Sequence, residues 1–264
     1  MEVHAHSHTA LDPDSHRGRK KWTHYFWEFL MLFLAVFCGF MAENIREHKI
    51  EQHRANEFAK SLVQDLQSDT AAIATEKKSA TIYISVVDSL LRLSKSPLEG
   101  RRASEFSFYT RFTYWTVPVS WNRNTFEQIK NSGSLRYFKN GQLLKKMLEY
   151  DGVVNVVNSE SNANSIRGNM LLPLINSIIE PALHYELSKH FLITLDTMSK
   201  ETRENFFSYK TGSLEIKREK VKELLNLVVV QQRNFQFQIN TRWRDAHALA
   251  TELISDLKKE YHLE

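Results

Sequence analysis

Cysteine is almost missing from this chain, and glycine and proline are scarce: 1, 8 and 5 residues in a length of 264. A lone thiol excludes any disulfide within the chain and leaves the redox compartment undecided. Few turn-forming residues argue against an all-β fold and for long helices. Also missing are a Gly-rich phosphate loop, an HExxH pair, a cysteine cluster and a G-x-S-x-G elbow, so no cofactor and no enzymatic activity are implied. A net charge of +4, spread along the chain, is no nucleic-acid signature.

Against these absences stands one long apolar run, Tyr25–Ala42, whose only charged residue is Glu28. As a helix it would be about 27 Å long, close to the hydrocarbon thickness of a bilayer. Cleavage as a signal peptide is disfavoured, because Phe40 and Met41 are too bulky for a small-x-small site. Trp22, Tyr25 and Trp27 supply the aromatic belt expected at a headgroup boundary. The sequence therefore predicts a single transmembrane helix over residues 22–42, with the lipid bilayer as its first partner. Arg17, Arg19, Lys20 and Lys21 precede the run without an acidic residue among them. That bias places the N-terminus in the cytoplasm and the following domain in the periplasm of a bacterial inner membrane.

Within the run, Glu28, Leu32, Ala35, Gly39 and Ala42 share one face at helical spacing. Ala35, Gly39 and Ala42 form a small-residue face of the kind that lets membrane helices approach closely, which predicts a homo-oligomer. Glu28 has two readings: an intramembrane proton or cation site, or a carboxylate that reaches the headgroups near Lys20, Lys21 and His24. Residues 1–21 form a His-rich, basic tail expected to be disordered. His4, His6 and His8 alternate there, a pattern that suits Zn, Cu or Ni; the competing reading is a mobile tail with no dedicated role.

After the anchor, residues 43–57 read as a polar helical stalk and residues 58–264 as an α-helical extramembrane domain. Phe58, Leu62, Leu66 and Ile73 recur at three-to-four spacing or its double, followed by Tyr83, Val87, Leu90 and Leu91. Pro97 and Gly100 end that helix. Arg101–Trp121 is dense in aromatics, which suits core more than a ligand pocket. Asn124 with Glu127 has capping-box spacing for a short helix that should stop at Ser132–Gly133. Residues 140–157 read as a helix, 158–169 as a Ser/Asn-rich loop or weak helical turn, and Leu171–Leu192 as a buried helical stretch broken by Pro173 and Pro181. His184 and His190 do not share a helical face and suggest no metal site. Ser213–Tyr261 lacks Pro and Gly and carries a near-heptad seam, Val221, Leu225, Val228, Phe235, Ile239, Ala246, Leu253 and Leu257, interrupted at Gln232 and Arg242. The expected fold is all-α: one N-terminal membrane helix continuing into an elongated bundle with two long antiparallel helices.

Three stretches carry a resemblance. Trp27–His48 (WEFLMLFLAVFCGF followed by AENIREH), Ser61–Leu66 (SLVQDL) and Thr125–Asn140 (TFEQIKNSGSLRYFKN) resemble an uncharacterised family of single-pass bacterial membrane proteins common in Bacteroidetes. The resemblance implies an envelope location and this architecture, and it transfers no catalytic residues. The function that follows is a self-associating helical scaffold or interaction protein of the envelope, with an envelope protein as a further partner. The rival is a homo-oligomeric channel or proton-linked transport subunit built around Glu28.

Overall fold

The computed structural model describes residues 22–114 and 118–263, and among these the chain is all-α, with no strand. The expected disordered tail, with His4, His6 and His8, lies outside the described residues, as does Trp115. The chain divides into two units, residues 1–53 and 54–264, and α1 (Trp22–Leu93) supplies helix to both. In the first unit every described residue from Trp22 to Ile50 is exposed except the partly covered Leu30. The helix is unbroken through the predicted stalk, because residues 43–57 hold neither Pro nor Gly.

The second unit is built on the rest of α1. Its buried stripe runs Ala55, Ala59, Leu62, Leu66, Asp69, Ile73, Ala80, Tyr83, Val87 and Leu90, the three-to-four spacing of one helical face. Against it lie α4 (Gly141–Ile178), α7 (Arg218–Asn240) and α8 (Arg242–Tyr261). Arg218 reaches the Ser94 carbonyl, Gln232 the Ile84 carbonyl and Asn56 the Tyr261 carbonyl, so α7 and α8 run antiparallel to α1. Ion pairs Lys146–Asp256 (2.7 Å) and Arg242–Glu160 (3.0 Å) show the same antiparallel relation to α4. Two expected long elements thus pack as predicted. The second, however, is two helices: at Thr241 the backbone leaves helical geometry (φ −128°, ψ −80°), so the near-heptad seam is not one continuous coil. The break falls beside Arg242, one of the two positions that interrupt the seam. Gln232, the other, is buried and donates to the Ile84 carbonyl (3.2 Å) and the Asp88 carboxylate (2.7 Å).

The Ser/Asn-rich segment 158–169 is helix, in the middle of α4, and not a loop. Ser161, Asn164 and Gly168 continue the buried row Val154, Val157 into Leu171, Ile175 and Ile178. Apolar periodicity fades there because small and polar side chains occupy the packed face. The helix starts with Asn140, whose side chain accepts from the Gln142 and Leu143 amides at 3.1 and 3.2 Å. It continues past Pro173 and ends before Pro181, which opens α5 (Pro181–Leu187).

The aromatic stretch is mostly core. In α2 (Arg101–Arg111), Phe106 and Phe108 are buried, and Phe108 meets Phe207 of α6 (Lys200–Phe207) edge-on at 5.2 Å. Buried apolar residues fall into two clusters. One gathers Tyr83, Leu90, Phe106, Leu171 and Phe235; the other gathers Leu62, Leu66, Phe126, Met147, Leu253 and Leu257. Trp121 packs against both.

Candidate functional site

Three places in the molecule hold chemistry beyond ordinary packing. The first is the apolar part of α1. A window of it has mean hydropathy 1.9 and none of it is buried, so by length and composition the helix could cross a membrane. Leu32 is 70% exposed and Phe40 67%, an apolar surface that water would strongly disfavour. Glu28 receives His24 at 3.0 Å, one turn earlier. A Cβ added at Gly39 meets nothing within 4 Å. Phe29, Phe33 and Phe37 stack along another face at 6.3 and 5.9 Å, a ladder at four-residue spacing.

The second place joins two of the sequence stretches that carried the resemblance. Asp65 and Asp69, one turn apart on α1, face the segment that enters α3 (Asn124–Asn131). The Thr125 amide donates to Asp65 at 3.1 Å, and the Asn122 amide donates to Asp69 at 2.6 Å. Tyr150 of α4 donates its hydroxyl to the other Asp69 oxygen at 2.7 Å. Arg123 pairs with Asp151 and lies over the Phe126 ring at 5.0 Å. The expected capping box does not form: Arg123 occupies the cap position without a side-chain cap bond, and Asp65 serves the first turn from another helix. Gly133 stops this turn with φ 69°, as the sequence predicts. Burial pushes the Asp69 carboxyl up from its ordinary value, while the Asn122 amide, the Tyr150 hydroxyl and Arg123 pull it down. Tyr150 is itself raised, first by burial and then by Asp69. A void of about 10 Å³ here is at the lower limit for one water. With both Asp69 oxygens occupied by protein donors, the cluster is a structural clasp.

The third place is a cleft of about 500 Å³ between α1, the end of α2 and the segment 190–193. Glu76, Ser79, Arg111, Tyr114, His190 and Phe191 line it. Glu76 occupies the core stripe of α1, three residues after Ile73 and four before Ala80, yet its Oε2 is buried with no hydrogen-bond partner. Burial raises its carboxyl to about 7. The Arg111 Nε is likewise buried without a partner, and burial lowers the guanidinium from its ordinary value. His184, close enough to feel Arg111, is lowered first by burial and then by that charge. Sequence reasoning missed this cleft. Its signal was present: acids stand at positions 69 and 76, where the apolar periodicity of α1 skips. No three-residue His, Cys, Asp or Glu grouping that could hold a metal occurs among the described residues.

Comparison with protein-family models, curated proteins and solved structures gave no match to this chain.

Proposed function

We propose that this chain is a membrane-anchored helical scaffold or interaction protein of the bacterial envelope, a non-enzymatic member of the Bacteroidetes-type family that its three motifs resemble. The observation that carries this reading is the apolar stretch of α1, none of which is buried, since a core helix of a water-soluble fold would be covered. Lipid covers that stretch, with Trp22 and Trp27 at its N-terminal boundary. The charge bias of residues 17–21 supports an N-terminus in the cytoplasm and residues 58–264 in the periplasm. A C-terminal alkaline phosphatase fusion tests this, and an inactive fusion at normal expression reverses the orientation.

Self-association proceeds through Ala35, Gly39 and Ala42, and the helical unit docks an envelope protein rather than nucleic acid. Native mass spectrometry of the protein in nanodiscs should give one defined oligomer, and Gly39→Ile should reduce it to monomer. An oligomer indifferent to that change removes the face from consideration. A second reading is favoured by the placement of Glu28 on that same face: a homo-oligomeric channel or proton-linked transport subunit. It requires Glu28→Gln to abolish proton flux in liposomes while assembly persists; equal flux in both proteins, or none in either, refutes it.

A further inference from the structure

In the cleft, the half-buried side chains of Glu76 and Arg111, one acidic and one basic, each keep a buried polar atom that no protein group meets. Both have a buried atom without a hydrogen-bond partner, and no ion pair joins them to each other or to any described residue. A buried polar atom without a partner is costly, so an acid and a base that each keep one, lining a single hollow, form an arrangement that a ligand can complete. The surrounding surface is of the other kind. Phe112 and Leu192 are buried in its wall, while Phe191 is 71% exposed at its edge. Aromatic and aliphatic walls around a few convergent polar groups, in a volume of about 500 Å³, are the make-up of a small-molecule site.

We propose that this cleft binds a small zwitterion with an apolar body, of the chemical class of a free α-amino acid with an aromatic or large aliphatic side chain. The ligand's carboxylate meets the Arg111 guanidinium, whose planar donors suit a carboxylate fork. Its ammonium meets the Glu76 carboxylate, and its side chain lies along Phe112 and Phe191. A simple anion would satisfy Arg111 and leave Glu76 facing another carboxylate. A simple amine would satisfy Glu76 and place a second cation near Arg111. Only a molecule bearing both charges satisfies both groups, which makes the site selective by charge pattern before side-chain shape matters.

The proposal is tested by calorimetric titration of the full chain in nanodiscs with three probes of one shape: phenylalanine, 3-phenylpropionate and phenethylamine. Phenylalanine should bind, and each single-charge probe should bind at least about tenfold more weakly. In Glu76→Gln the preference over phenylpropionate should disappear, and in Arg111→Gln the preference over phenethylamine. Neither variant breaks a hydrogen bond or ion pair within the described residues, so both should stay folded, and circular dichroism checks this. The three-probe comparison on the unaltered chain decides the matter by itself. No binding of phenylalanine at millimolar concentration, or equal binding of all three probes, overturns the proposal. So does a folded variant that keeps the parent's full discrimination.

Discussion

Asp69→Ala would strip the clasp of its acceptor and leave two donors, the Asn122 amide and the Tyr150 hydroxyl, facing a site that is 1% exposed. A buried donor left without a partner costs about 1–3 kcal/mol, so two give roughly 2–6 kcal/mol. Removal of a carboxylate that burial already disfavours offsets part of this, which sets the expectation at about 2–4 kcal/mol. For a unit of this size that is a fall in Tm of about 4–16 °C. Asp69→Asn separates the causes. Its amide oxygen still accepts from Asn122, and its nitrogen can donate to a Tyr150 hydroxyl that turns to accept, so the loss should be about 1 kcal/mol. Tyr150→Phe removes one hydrogen bond to a charged acceptor and should cost about 1.5–3 kcal/mol. Thermal melts of the full chain in detergent would give this ranking. Trp121 provides the local probe, since its ring lies 6.4 Å from that of Tyr150. Equal stability of Asp69→Ala and the parent, or a loss in Asp69→Asn as large as in Asp69→Ala, would refute the donor accounting.

Glu76 should give the stability curve a pH dependence. Its folded value of about 7 lies above the ordinary 4.5, so between these the folded state holds the extra proton and stability falls as pH rises. Arg111 and His190 share the cleft, and neither supplies an ion pair to the carboxylate. Glu76→Gln should flatten the Tm profile between about pH 4.5 and 7; an unchanged slope assigns the effect elsewhere. Gly133→Ala places a side chain at φ 69° with nothing within 4 Å to compensate or clash, so it should cost about 1 kcal/mol from backbone conformation alone. A neutral result in denaturant titration would mean that the turn relaxes.

Much of the architecture was legible because long helices announce themselves by spacing and by the scarcity of glycine and proline. The apolar run, the stripe of α1, the stop at Gly133 and the antiparallel partner at residues 213–261 all follow from such local rules. What failed was non-local. Ser161, Asn164 and Gly168 sit on a packed face for reasons supplied by the helices opposite, so their composition mimics a loop. Asp65 replaces the expected cap at α3 from a helix about sixty residues earlier, and no window of sequence displays that. The break at Thr241 has no Pro or Gly to mark it. Glu76 and Asp69 were visible only as gaps in an apolar period, and their meaning depends on Arg111 and Tyr150, which lie on other helices. Asp65 and Asp69 of α1 hold the segment between Asn122 and Thr125, a link between residues about sixty apart that spacing alone does not reveal.

The two apolar clusters, with Trp121 against both, have a consequence for how the unit opens. From Ala250 onward α8, together with the first turns of α4, packs in the cluster of Leu66, Met147 and Leu253, while α7 and the first turns of α8, at Trp243 and Ala246, pack in the cluster of Tyr83 and Phe235. The seam between the two clusters thus crosses α8 between Ala246 and Ala250 and not at Thr241, and α1 and α4 run through both. Native-state hydrogen exchange should therefore resolve two protection levels within α8, divided between Ala246 and Ala250, and the emission of Trp121 should shift when the weaker cluster opens first.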